Sequence, residues 1–411
     1  MEAPKVGFYY HPQLVDEKRV RRAHELGKPP PPTDLSLART AHTYGYPKIY
    51  SLDHRRTEWD DTDPDAVRLQ LKLIEDMGAD FIAINSFAGY KSGKPYVESE
   101  KALEVISQEI QHTSKLKFYT TMCMRLQRAV LPIDEPGQDE PNRYFDLSLD
   151  TLNYMMEYSA QHWDNPHYLH VNNKPVVGIY GLTSNAVNNI TYSLPQIVSP
   201  AIGTWMKATG QIKFKKNPYL IGIVDVPLMV PILEQRGFDL ITTMCGLPDF
   251  FNDDYFLPDM TDIFPNKKPV PEEYSELLRK RSAELSLFAQ VIKGGEHACH
   301  VIGSISLGWN TRARAAHPDN YDFTGYPYSP FVKDPTPEDL HRAFLAMGLY
   351  IHAVARLRFP YQYTDPLVHV FAFNEFSEAL SPIPRVKDDG GIDTALSATL
   401  TKEFAQLKQV F

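Results

Sequence analysis

Cysteine is scarce in this chain: Cys123, Cys245 and Cys299 are the only three in 411 residues. None pairs as C-x-x-C and none has the spacing of a tetrahedral zinc site, which excludes a disulfide scaffold and predicts no structural metal. Two lie inside apolar segments and the third just before one, as expected of free thiols. Long apolar runs are missing too. No stretch approaches the roughly 20 residues that cross a bilayer as a helix, so no membrane partner is expected. The opening, MEAPKVGFYY, lacks the basic stretch and long apolar segment of a secretory leader. Localisation stays open, because a secreted or periplasmic protein whose leader has been trimmed is compatible with a first strand so close to Met1. Basic charge is in deficit, with a formal net charge of −9. That argues against a surface built to coat nucleic acid or anionic lipid. A Gly-rich phosphate turn after the first strand is absent as well, since that strand ends YYHPQL. No internal repeat or low-complexity tract occurs.

What is present is an ordinary globular composition, 43% hydrophobic and 23% charged, with aromatics at 12% from 23 Tyr, 21 Phe and 4 Trp. Abundant Tyr fits either a groove for flat, hydroxylated ligands or a well-filled core. Eight short apolar runs recur: KVGFYY (5–10), DFIAIN (80–85), LKFYTTMCM (116–124), PVVGIYG (175–181), YLIGIVDV (219–226), FDLITTMCG (238–246), HVIGSISLGW (300–309) and VHVFAFNEF (368–376). They are continuously apolar rather than alternating, as strands covered on both faces of a parallel sheet are. Amphipathic stretches lie between them. The clearest is DPDAVRLQLKLIEDMGA, with Asp63 as cap, Pro64 in the first turn and Gly78 at the end. Eight strands alternating with helices predict one (β/α)8 TIM barrel over residues 1–411, rather than an open doubly wound sheet. Long segments follow the first, third, sixth and seventh strands. In a barrel these lie on the C-terminal, catalytic face.

Strand ends in a barrel deliver side chains to its mouth. Here they supply Tyr10, His11, Asn85, Arg125, Tyr180, Asp225, Trp309, Asn310, Asn374 and Glu375. Such a polar and aromatic set suits a sugar, whose ring faces stack on aromatics while its hydroxyls take hydrogen bonds. No spacing among them suits a metal. HACH (297–300) brings two His together, but at the entrance of a strand, the end away from chemistry. Glu375 and Glu378 stand three residues apart, the spacing that places Cβ atoms roughly 5–6 Å apart on one side of a helical turn. Two partly desolvated carboxylates so close separate their pKa values, one staying ionised while the other keeps a proton. Glycoside cleavage uses such a pair. Spacing alone also fits a solvated or capping pair.

The segment FAFNEFSEALSPIP resembles the S/A-x-N-E-W-x-E-G-x-x-x-E-P segment of glycoside hydrolase family 99, the retaining endo-α-mannosidases and mannanases, and of WbsX-like proteins. KVGFYYHP is similar to that family's opening strand, HWDNPHYLHVNNKPVVGIYG to its His/Phe-x-x-x-P-x-Y-x-x-x-x-x-K-P-V segment, and GSISLGWNTRAR to its penultimate strand. The four matches run in order from residue 5 to about residue 384. The resemblance implies a retaining glycosidase acting on an oligosaccharide or polysaccharide, without a cofactor. It makes Glu375 the carboxylate that deprotonates the substrate's 2-hydroxyl, which then attacks C1 to give a 1,2-anhydro sugar. Glu378 becomes the acid/base that protonates the leaving oxygen and then activates water. Asn374 would orient Glu375 or bond a ring hydroxyl, and Tyr10, His11, Trp309, Asn310 and Arg312 would line the cleft. The chain departs from the pattern at Phe376, Ser377 and Ala379, where the family has Trp, an imidazole and Gly. The carboxylates survive these departures, which bear on sugar and linkage. Two other classes fit less well: a nucleotide-sugar transferase or polysaccharide-assembly protein, and a carbohydrate-binding barrel without activity. A transferase commonly carries a D-x-D motif. The DPD spelling at 63–65 reads as a helix cap.

Overall fold

The computed structural model describes residues 3–12, 46–47, 60–91, 94–97, 99–123, 149–180, 202–224, 237–243, 273–279, 282, 285–286, 300–315, 332–357, 366–376, 380–387 and 389–409. The described strands form a (β/α)8 TIM barrel. Its strands are Lys5–Tyr10, Phe81–Lys91, Lys117–Cys123, Lys174–Tyr180, Tyr219–Val224, Leu240–Thr243, a seventh in two pieces (His300–Val301 and Ser304–Ser306), and Leu367–Phe371. Neighbours along this series pair in parallel, and the eighth strand pairs with the first through Lys5↔Leu367 to Phe8↔Val370. Closure passes through the broken seventh strand. Its first piece pairs with the sixth and its second with the eighth. The second strand runs on past the barrel to form an antiparallel hairpin with Lys94–Val97.

Local chemistry places the first helix as the sequence predicts. Pro64–Asp76 begins behind Asp63, whose carboxylate accepts from the Asp65 and Ala66 backbone N–H groups, and Gly78 takes a φ of +83° just beyond its end. The acidic D-x-D spelling is thus occupied in capping. The amphipathic stretches ESEKALEVISQEIQHTSK, SLDTLNYMMEYSAQHW and TPEDLHRAFLAMGLYIHAVARLR, expected to be helical by the same logic, form the helices Glu100–Glu109, Leu149–Ala160 and Pro337–Leu357. Among the described residues, two helices escape the sequence reading, Ile202–Phe214 and Ala395–Gln409. The first has Gly at two positions and leaves Ile212 70% exposed, so its apolar stripe is faint. A further amphipathic stretch expected to be helical, DVPLMVPILEQRG, lies outside the described residues except for Gly237. No helix among the described residues is long and apolar enough to cross a membrane.

The strand alternation sorts side chains between barrel interior and outer layer. Tyr9, Phe81, Tyr119, His369 and Phe371 cluster inside: Tyr9 stacks on His369 at 5.1 Å, and Tyr119 Oη lies 2.7 Å from His369 Nε2. Burial lowers the His369 pKa to about 3, so this imidazole is a neutral part of the core. Phe8 faces outward, onto Phe373 and onto Phe404 of the last helix. Gly7 is needed between these layers. A Cβ there would stand 2.3 Å from the Phe81 carbonyl oxygen and 2.4 Å from its ring. Because the nearest obstacle is backbone, no rotamer relieves it. Gly7→Ala is expected to cost about 3 kcal/mol, the upper part of the overpacking range. Urea denaturation measures it, and a variant as stable as the parent would contradict the interior packing.

Candidate active site

The eighth strand ends earlier than its apolar run suggests, at Phe371, followed by a cis peptide to Ala372. Burial nonetheless continues through Phe376. The Phe373 N–H donates to the Tyr9 carbonyl at 2.9 Å, and its ring packs on Phe8 and Tyr10. Glu375 and Leu380 exchange backbone hydrogen bonds of 3.2 and 3.0 Å. These apolar anchors carry Asn374 and Glu375 into the barrel mouth. Asn374, fully buried, accepts from the His11 backbone N–H at 2.8 Å, which ties the end of the first strand to the segment after the eighth.

Glu375 is 7% exposed and clamped on both carboxylate oxygens. Oε2 lies 2.8 Å from His11 Nδ1, and Oε1 accepts from the Arg314 guanidinium. Burial by itself would push its pKa up. Attraction and hydrogen bonding from His11, then from Arg314, outweigh that and hold it well below the usual carboxylate range. The group is therefore an anion at any ordinary working pH. Arg314 belongs to the short 3-10 turn Arg312–Arg314, closed by a 2.9 Å bond from the Arg314 N–H to the Thr311 carbonyl. Asn85, at the second strand's barrel end, brings its amide nitrogen within 3.2 Å of His11 Nδ1 and 3.0 Å of Nε2.

Among the expected site residues, His11, Asn85, Asn374 and Glu375 come together. Tyr10 does not join them. Successive residues of a strand point to opposite faces, and with His11 turned inward Tyr10 turns outward. It is fully buried, its hydroxyl donating to Gln70 Oε1 at 2.7 Å on the first helix. Tyr180 ends the fourth strand half-buried, in register with Cys123, and shares the inward parity of Gly178. Trp309 is 6% exposed, its carbonyl accepting from the Val332 N–H at 2.7 Å, and Asn310 beside it is partly exposed. The Arg312 side chain, Glu378, Arg125 and Asp225 lie outside the described residues. Glu378 belongs to the stretch bounded by the Glu375–Leu380 pair.

The sequence reading misses Arg314. The run N-T-R-A-R offers two arginines two apart, which a tight turn sends in different directions, and only the fold shows that the second reaches Glu375. Among the described residues no group of three or more His, Cys, Asp and Glu could hold a metal ion. Cys123 is a buried thiol outside any disulfide, while Cys245 and Cys299 lie outside the described residues. What remains is a buried anion, an imidazole, a guanidinium and two amides at the C-terminal rim, the face where barrel enzymes place their chemistry.

No family model matches the chain, and no curated protein does. Among solved structures, a glycoside hydrolase family 99 endo-α-mannosidase from Bacteroides thetaiotaomicron is similar, with a TM-score of 0.56 at 13% identity over 100% of this chain and 98% of that one. The endo-α-mannosidase in complex with bis-tris propane gives 0.54 at 14%, over the same shares. A glycoside hydrolase-like protein gives 0.56 at 12%, over 98% of this chain and 94% of that one. At these identities the likeness establishes the fold over nearly the whole length.

Proposed function

We propose that the chain is a retaining glycoside hydrolase of α-linked glycans, with mannose-configured sugars as the first substrates to try. The observation that carries this reading is Glu375: a buried carboxylate at the end of the eighth strand, kept ionised between His11 and Arg314 at the barrel rim. Burying a charge is costly unless it is paired, and a carboxylate serving only as a cap would gain more in water. The endo-α-mannosidase likeness, which spans the whole chain, supports the same class. In this reading Glu378 protonates the leaving oxygen and later activates water. Glu375 serves the opposite side, where the substrate's 2-hydroxyl loses its proton and closes on C1 as a 1,2-anhydro sugar. Asn85, Tyr180, Trp309, Asn310, Arg312 and Asn374 contribute hydroxyl contacts and walls. No glycosyl ester with the protein forms, unlike the usual retaining scheme.

A panel of α-linked oligosaccharides and aryl α-glycosides, with the product anomer read by NMR, tests this. The expected result is release of an α-product, with the 2-deoxy analogue of the best substrate inert. A β-product would remove the retaining mechanism. Turnover of the 2-deoxy analogue would shift attack from the 2-hydroxyl to Glu375 itself. Transfer only from a nucleotide-sugar donor, or binding without turnover, would overturn the hydrolase reading altogether.

A further inference from the structure

Glu375 follows the eighth strand, and the two side chains on its carboxylate come from the strands to either side of it. His11 stands just past the first strand and meets Oε2 at 2.8 Å, while Arg314 lies in the turn after the seventh and donates to Oε1. A carboxylate held at one oxygen still swings about its last torsion, which is broad in glutamate. Held at both oxygens from two sides, it has its plane fixed. An ionised carboxylate offers about four acceptor positions, two on each oxygen. One position on each oxygen is taken here, so the two clamps decide where the others point. The seat of Arg314 is firm although its turn is short. Thr311, Ala313 and Ala315 are buried at alternate positions, and the Arg314 N–H closes the turn onto the Thr311 carbonyl at 2.9 Å. Just ahead, the Trp309 carbonyl accepts from the Val332 N–H at 2.7 Å. A planar guanidinium on that seat presents its donors in a rigid fork, whereas an ammonium is a point charge on a flexible stem.

We propose that Arg314 is a positioning residue for the reaction: its guanidinium plane, more than its charge, aims the Glu375 carboxylate at the substrate's 2-hydroxyl. This rests on the glycosidase reading above and deepens it, giving the arginine a part in turnover separate from its part in stability. Taking a proton from a hydroxyl requires an accepting lone pair in line and within hydrogen-bond reach. A displacement on the order of 1 Å from that geometry costs about 10²-fold in rate. The charge that keeps Glu375 ionised has two sources, His11 first and Arg314 second. Among the described residues these are the charged or titratable groups against the carboxylate, one after the first strand and one after the seventh. Replacing the guanidinium by another cation therefore leaves the anion paired and loosens its direction.

Arg314→Lys tests the assignment, because it keeps the charge and removes the fork. With the best α-glycoside, kcat is expected to fall by about 10–10²-fold, while KM and the acid limb of the kcat/KM profile stay near the parent's. Arg314→Gln removes the charge as well. Its acid limb is expected to move to higher pH, since the Glu375 anion has lost one of the two groups that stabilise it. In Arg314→Gly, methylguanidinium is expected to restore part of the turnover and methylammonium none. In the unsubstituted protein, ¹⁵N NMR is expected to resolve separate Nη signals for Arg314, as a guanidinium locked against rotation gives, whatever the variants' stability. An active parent whose Arg314→Lys variant keeps its kcat overturns the proposal and leaves the glycosidase reading intact. Equal rescue by the two cations does the same, because it makes the arginine a charge and nothing more. A raised KM with kcat unchanged would make Arg314 a substrate-binding group instead, and averaged Nη signals would remove the rigid fork. A parent that cleaves no α-glycoside overturns both readings.

Discussion

Glu375→Gln is expected to lower kcat on an α-glycoside by about 10³-fold or more, near the upper part of what one positioned acid or base supplies. The substitution keeps shape and removes charge. Glu375 is the anion onto which both His11 and Arg314 converge. With a neutral amide there, His11 and Arg314 both lose the charge on which they converge. Glu378→Gln is expected to fail comparably but with a different signature. A substrate whose leaving group needs no proton, such as a nitrophenyl glycoside, should recover much of the lost rate in Glu378→Gln and little in Glu375→Gln. Steady-state kinetics on the two substrates make the comparison. Equal recovery in both variants would mean that the two carboxylates do not divide the work, and the assignment of roles would fail.

The second large effect concerns stability. Arg314→Leu leaves a buried carboxylate with His11 as its remaining clamp. Breaking a buried pair from one side costs about 3–5 kcal/mol, and the retained imidazole places this case near the lower end. The pH dependence has a definite sign. The folded-state pKa of Glu375 is lowered relative to the unfolded chain. Its contribution is therefore complete above the ordinary carboxylate range, around pH 4.3, and is lost as pH falls through the lower folded value. Without Arg314 burial gains weight, the folded pKa rises, and acid unfolding begins at a higher pH than in the parent. Adding Glu375→Gln to Arg314→Leu should relieve most of the loss, because the stranded charge is gone. Urea titrations of the four proteins of this cycle at pH 7 and pH 4 decide it. Additive losses with unchanged acid behaviour would show that the Arg314–Glu375 contact contributes nothing in solution.

The barrel was readable because its strands are covered on both faces, so each shows as an unbroken apolar run between polar segments. The helix Ile202–Phe214 was not, because its two glycines and an exposed Ile212 leave only a faint apolar stripe. The site was readable in part. Asn374 and Glu375 stand out as polar residues attached to a run of buried aromatics, and His11 as the residue just past the first strand. Tyr10 and His11 stand together in sequence and were expected together in the cleft. Strand parity separates them, sending the tyrosine hydroxyl to Gln70 on the first helix.

Composition and pattern alone thus determined the (β/α)8 class and the strand ends from which the mouth is built, since both follow from period and burial, which are local properties. Which groups meet at that mouth was decided only by tertiary structure. His11, Arg314 and Glu375 are joined by closure of the first strand against the eighth and by the turn after the seventh. The ionisation of Glu375 follows from that meeting: burial opposes its charge, and only partners brought from distant parts of the chain outweigh it.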